Sequence, residues 1–133
     1  MPTQVEQDAL AIVRLGFDAF ATGDMVALSE LFDKDANWRA APTGVLGGDC
    51  IGRDAIFAMF QQLGRETGGE FHVTPNTFAA AGNQVFVSAT DHGKRHGRTL
   101  EGEQVLVFTV VDGKVREVRF FAHDHPANAA FWA

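Results

Sequence analysis

Two long apolar runs, Val105–Val111 and Val115–Ala122, are separated only by Asp112-Gly113-Lys114. Both runs are rich in β-branched and aromatic residues. An Asp-Gly turn needs positive φ, which glycine adopts without steric cost, so the stretch predicts a β-hairpin. Neither alternate set of residues in Val105–Val111 is polar. A strand that is apolar on both faces needs cover on both faces. The rest of the chain must therefore supply helices for one face, and the other is left for a second subunit. The hairpin's second strand runs into His123-Asp124-His125 and stops at Pro126, which places ionisable groups at the end of an apolar sheet.

The covering helices are legible upstream. Thr3-Gln4-Val5-Glu6 reads as a capping box, and Leu10, Val13, Phe17 and Phe20 recur at helical spacing, predicting a helix from about Thr3 to Ala21. Thr22-Gly23-Asp24 ends it and offers Asp24 as the next N-cap. A second helix carries Met25, Leu28, Leu31 and Phe32 and ends at Asp33-Lys34-Asp35. Ala36–Ala41 reads as a short strand stopped by Pro42, and Thr43–Gly52, with four glycines, as a loop. Arg53-Asp54 opens a third helix with Ile56, Met59, Phe60 and Leu63 on one face, ended by Gly68-Gly69. Four strands follow: Glu70–Ala80, Gln84–His92, Leu100–Val111 and Lys114–His123. Short connections make consecutive strands pair antiparallel. A last short helix is expected over Ala127–Trp132. Helices first and a meander after give an α+β fold, expected as one domain over residues 1–133.

Composition narrows the functional classes. The net charge is −6 and Lys and Arg form no extended cluster, which argues against nucleic acid and anionic membrane surfaces as partners. The start of the chain lacks a basic segment followed by an apolar one, and no apolar run approaches membrane-spanning length. The single cysteine, Cys50, permits no internal disulfide. A cytoplasmic location is expected. There is no phosphate-binding glycine loop after a strand, no G-x-S-x-G, no C-x-x-C and no H-E-x-x-H, so no cofactor and no metal are expected.

The order helix, helix, strand, helix and curved meander resembles the nuclear transport factor 2-like superfamily. More narrowly it resembles the SnoaL-like branch, with its polyketide cyclases and ketosteroid isomerase relatives. The stretches that carry the likeness are Phe20–Leu28, Phe32–Trp38, Gly52–Ile56, Asp112–Val115, and Asp124 with Phe131-Trp132. The resemblance implies a cone-shaped, curved antiparallel sheet wrapped around the N-terminal helices, an apolar cavity inside it, and a homodimer formed through the sheet. The ligand it implies is a small hydrophobic molecule, handled by acid/base isomerisation, cyclisation or hydration. A non-catalytic binding or dimerisation module, its cone filled by its own twelve phenylalanines, is the alternative.

In polyketide cyclases of this family an aspartate after the last strand acts as acid/base, and Asp124 stands in a similar place. Desolvation against Phe120, Phe121 and Phe131 would raise its pKa, whereas the plain alternative is a helix cap. His123 is a polar group beside it. His123 and His125 share a strand face, but no third metal ligand accompanies them. Asp91 and His92 end a strand and point to opposite faces, so one of them can reach the cavity, paired with His123 or Arg119; the alternative is a solvated strand end. Gln104 begins an apolar strand and, if buried, must hydrogen-bond something. Trp38, Phe120, Phe17 and Phe60 are expected to line the cavity, with Arg119 as a further substrate contact. Two departures are informative. Alanine stands where ketosteroid isomerase carries its base before Pro42, and the chain has no tyrosine for that enzyme's oxyanion hole. An Asp91–Arg119–Asp124 set would imitate the water-activating group of the superfamily's epoxide hydrolases.

Overall fold

The computed structural model describes every residue, Met1–Ala133. Helix α1 spans Gln4–Thr22 and starts from the capping box: Thr3 Oγ1 accepts from the Glu6 amide at 3.2 Å, and Glu6 Oε1 accepts from the Thr3 amide at 2.8 Å. Glu6 Oε2 also accepts from the Gly82 amide at 2.9 Å, which ties the start of α1 to the sheet. Gly23, at φ 70°, closes the helix in the left-handed region. Asp24 then caps α2, Met25–Leu31.

Strand β1, Phe32–Arg39, begins earlier than the expected Ala36 and displaces the end of the second helix. Phe32 fits the helical stripe and a strand equally well; its partners decide. It sits opposite Val115 and its buried ring meets Phe57 and Phe60 edge-on at 5.8 and 6.3 Å. A single turn of 3-10 helix, Gly44–Leu46, and the two-residue strand β2, Cys50–Ile51, lead into α3, Arg53–Thr67. Strands β3 (Phe71–Ala81), β4 (Gln84–Arg95), β5 (Arg98–Val111) and β6 (Lys114–Ala122) follow, and α4, His125–Trp132, closes the chain.

The six strands form one curved sheet in the order β2-β1-β6-β5-β4-β3. From β3 to β6 every pair is antiparallel, but β1 runs parallel to β6, so the sheet is mixed rather than purely antiparallel. No hairpin joins β1 to β6, and the long intervening chain is free to bring them together in either direction. Asp112 and Gly113 both take positive φ, 52° and 77°, as the hairpin turn requires. A second turn of the same kind, His96-Gly97 at φ 52° and 75°, replaces the longer loop expected after His92 and extends β4 to Arg95. Pro75 lies on the edge strand β3, where the register shifts before Thr77 and no ladder hydrogen bond is lost from the sheet interior.

Alternation along β4 turns Val85, Val87 and Ala89 onto the core under α1, α2 and α3. A smaller apolar cluster of Met59, Leu63, Leu100, Phe131 and Trp132 seats α4 at the other end of the sheet. The buried Arg95 side chain holds this end together. It bonds Glu66 Oε2 at 2.8 Å and the carbonyls of Phe131 and Ala133 at 3.1 and 2.7 Å. On the outer face of the sheet Phe86, Val105 and Phe121 remain exposed.

Candidate functional site

Between the sheet and the helices lies a cavity of about 120 Å³ with walls that are mainly apolar. Phe17 and Phe20 reach it from α1, Trp38 from β1, Phe60 from α3 and Phe120 from β6. Their rings brace one another: Phe60 meets Phe20 at 5.0 Å and Trp38 at 5.7 Å, both edge-on. These contacts stiffen the wall while leaving the interior open.

Asp91 sits in this apolar setting because of the strand's period. The inward series of β4 is Val85, Val87, Ala89 and then Asp91, so the carboxylate takes a place that the pattern gives to a hydrophobe. Only 4% of the residue is exposed. Gln104 on β5 points the same way, and its amide donates to Asp91 Oδ2 at 3.1 Å. Asp91 Oδ1 is buried and accepts no side-chain or backbone hydrogen bond of good geometry. Desolvation pushes the Asp91 carboxyl above its ordinary value; the Gln104 amide and nearby backbone groups pull the other way without cancelling it. No Lys, Arg or His lines the cavity, so no positive charge offsets the carboxylate.

Gly102 faces Asp91 directly across the β4–β5 ladder. A Cβ at this position would overlap Asp91 Oδ1. The missing side chain makes the recess into which the carboxylate fits. Two further polar side chains face the cavity: Thr43, from the loop before the 3-10 turn, and Asn128, from α4. Both are more than nine-tenths buried.

The expected site residues separate into two groups. Asp91, Gln104, Trp38, Phe17, Phe60 and Phe120 all line the cavity. Asp124, His123 and Arg119 do not. Asp124 is exposed and caps α4, accepting from the Ala127 amide at 3.0 Å, which is the capping alternative rather than a desolvated acid. His123 is exposed as well, and its backbone amide donates to the Glu103 carbonyl at 2.9 Å. Arg119 points to the outer face, opposite Phe120, with its Nε 3.7 Å from Glu117 Oε1. Neither an Asp91–His123 nor an Asp91–Arg119 pair forms, and the Asp91–Arg119–Asp124 set is not assembled. The solvated strand end expected for Asp91 is also absent, because β4 continues past it to the buried Arg95. His92 takes the other face, 3.6 Å from Glu101. Thr43 and Asn128 were not expected in the site. The available signal was weak: Asn128 is the one polar side chain in the Ala-rich and aromatic run Ala127–Trp132.

Residues 13–118 match the SnoaL-like domain. The chain belongs to the SnoaL-like family. This SnoaL-like domain is 27% identical over 125 residues to an uncharacterized protein of Mycobacterium tuberculosis strain H37Rv, covering 93% of this chain and 95% of that one. Among solved structures it is similar to Bal32a from a soil-derived mobile gene cassette, at 33% identity and a TM-score of 0.94, covering 98% of this chain and all of the other. An NTF2-like protein of Burkholderia xenovorans LB400 is 27% identical with a TM-score of 0.82, over 96% of this chain and 98% of its own. The SnoaL-like domain thus has the nuclear transport factor 2-like fold. No helix in it is long and apolar enough to cross a membrane.

Proposed function

We propose that this SnoaL-like domain binds a compact, largely apolar small molecule in the cavity and moves a proton on it through Asp91. The observation that carries the reading is the buried Asp91 carboxylate, held by Gln104 on one oxygen and unpartnered on the other. A carboxylate of raised basicity in a water-poor cavity suits the removal of a proton from carbon beside a carbonyl. Gln104 uses one amide hydrogen on Asp91, and the second is free to polarise that carbonyl as charge builds on its oxygen. In isomerisation of an unsaturated ketone Asp91 returns the proton at the far carbon of the dienolate. In cyclisation the deprotonated carbon bonds to the carbon of a second carbonyl, whose π bond breaks and whose oxygen takes the proton back from Asp91, so the two reactions share the first step. Hydration would use the same carboxylate to activate water. Asp124 and His123 have no part in this scheme.

The alternative of a non-catalytic module with its cone filled by phenylalanine draws less support. The cavity is open and its one ionisable group is not in water. The exposed apolar face at Phe86, Val105 and Phe121 supports pairing of two copies through the sheet.

Cyclohexanone in deuterated buffer tests the chemistry. The expected result is protein-dependent exchange of the hydrogens next to the carbonyl, read by proton NMR, falling at least about 100-fold in Asp91→Asn. Exchange at the buffer rate, or exchange that survives in a folded Asp91→Asn variant, would reject the reading.

A further inference from the structure

Asn128 is the polar group that the proton-transfer scheme leaves unused. Its residue is 6% exposed and its side chain faces the cavity. The backbone of Asn128 is satisfied within α4, its amide donating to the Asp124 carbonyl at 3.0 Å. The side chain has no such partner. One turn back stand His125 and Asp124; both are exposed, neither bonds the Asn128 side chain, and Asp124 Oδ1 is taken by the Ala127 amide. Asp91 Oδ1 is the one side-chain polar atom both fully shut in and unpartnered, so the Asn128 amide stays open to the cavity and available to a ligand. Thr43, in the loop that also borders the cavity, is likewise 6% exposed, and its hydroxyl makes no cap hydrogen bond to the 3-10 turn. The polar sites of the cavity are thus of two kinds: the Asp91–Gln104 pair on the sheet, and Asn128 with Thr43 on the helix and loop that close it.

We infer that the ligand carries a second hydrogen-bonding group, uncharged and distinct from the carbonyl handled by Asp91, which the Asn128 amide reads. An asparagine amide offers a donor and an acceptor side by side, which matches a hydroxyl or a lactam. The cavity wall also excludes one class. With no cationic side chain in the lining, a carboxylate or phosphate ligand would place a second uncompensated negative charge beside Asp91. The substrate class is therefore a neutral, bifunctional ring compound: a ketone at one position and a hydroxyl or lactam at another. This deepens the proposed reaction and rests on the same cavity, but it concerns recognition rather than proton transfer.

Three one-ring probes test it by ligand-observed NMR titration: cyclohexanone, 4-hydroxycyclohexanone and 4-oxocyclohexanecarboxylate. The expected order is 4-hydroxycyclohexanone about tenfold tighter than cyclohexanone, the difference one hydrogen bond to a cavity amide supplies, with the carboxylate weakest. Asn128→Leu, checked as folded by circular dichroism, should erase the preference for the hydroxyl and leave cyclohexanone binding within about twofold, because cyclohexanone carries no second polar group. Asn128→Ser, a shorter hydroxyl, should restore part of the preference. Equal binding of the first two probes, survival of the preference in Asn128→Leu, or carboxylate binding as tight as that of the neutral ketone would each overturn the inference. Hydrogen exchange on cyclohexanone is scored separately. Exchange without a hydroxyl preference removes this inference and leaves the reaction standing, whereas a preference without exchange does the reverse.

Discussion

Asp91 Oδ1 occupies the space that a side chain at residue 102 would need, and residue 102 is glycine. The two residues are direct cross-strand partners. The pairing has a consequence for both stability and position. In Gly102→Ala the methyl group must push the carboxylate off the sheet and away from the Gln104 amide. Overpacking of this kind costs about 1–3 kcal/mol, and the lost Gln104 bond adds to it. Urea unfolding measures the first effect. A change in the midpoint of an Asp91 carboxyl titration, followed by carbon NMR, measures the second; an unmoved titration would show that Gly102 does not position the carboxylate.

The buried carboxyl also predicts how stability follows pH. Desolvation raises the Asp91 pKa in the fold above its ordinary value of 3.8. The folded state then holds the proton more tightly than the unfolded chain. The stability this contributes is complete below the unfolded value and is lost as pH rises through the raised folded one, by at most ~1.4 kcal/mol per pH unit. Asp91→Asn removes this dependence. Unfolding free energies of the two proteins, measured from about pH 4 upward, should diverge in favour of Asp91→Asn until the folded pKa is passed.

Asp124 gives the opposite expectation. Its carboxylate caps α4 at the surface and does not line the cavity. Asp124→Ala should cost about 1 kcal/mol, the usual effect of losing an N-cap, and leave exchange on cyclohexanone unchanged. A large loss of exchange with stability intact would return Asp124 to the site.

Arg95 anchors the last helix from below. Its guanidinium is buried against Glu66 and two carbonyls of the α4 end. In Arg95→Met these acceptors lose their donor, at a cost of about 3 kcal/mol, since breaking one side of a buried ionic contact leaves the other uncompensated. Amide hydrogen exchange should locate the loss in α4, with Trp132 and Asn128 no longer held against the cavity.

The outer face carries the prediction about assembly. Phe121 is 52% exposed beside Val105 on the sheet surface. If two copies pair there, sedimentation will show a dimer in the parent protein and a monomer in Phe121→Lys, with melting temperature falling together with protein concentration.

The features legible in the sequence were those fixed by neighbours in the chain. The Thr3–Glu6 capping box, the Asp24 cap and the Asp112-Gly113 turn are all short-range. The beginning of β1 was not legible, because Phe32 suits helix and strand alike and only its distant partner Val115 selects between them. Phe17 and Phe60 followed from helical spacing, whereas Trp38 and Phe120 stand on strands and were placed in the lining through the family resemblance. Asp91 depended on where β4 ends: a strand stopping at His92 leaves it in water, and one continuing to Arg95 encloses it. The polar string Lys94-Arg95-His96 masked that continuation. Asn128 and Thr43 come from a helix and a loop whose approach to the cavity is set by tertiary packing, which no local period encodes.

The parallel pairing of β1 with β6 sets an order of events during synthesis. β1 has only the two-residue β2 on its other side. Until residues 114–122 have left the ribosome, β1 lacks its main partner and the strand that should lie next to it in the middle of the sheet does not exist. The apolar faces of α1, α2 and α3 are finished long before that moment. From the end of α3 at Thr67 until Ala122 emerges, a nascent chain carries completed helices over an unfinished sheet, and folding must wait for its C-terminal third. Truncations anywhere before Ala122 should yield aggregation-prone fragments rather than smaller folded units, and dependence on chaperones should be greatest just before β6 emerges.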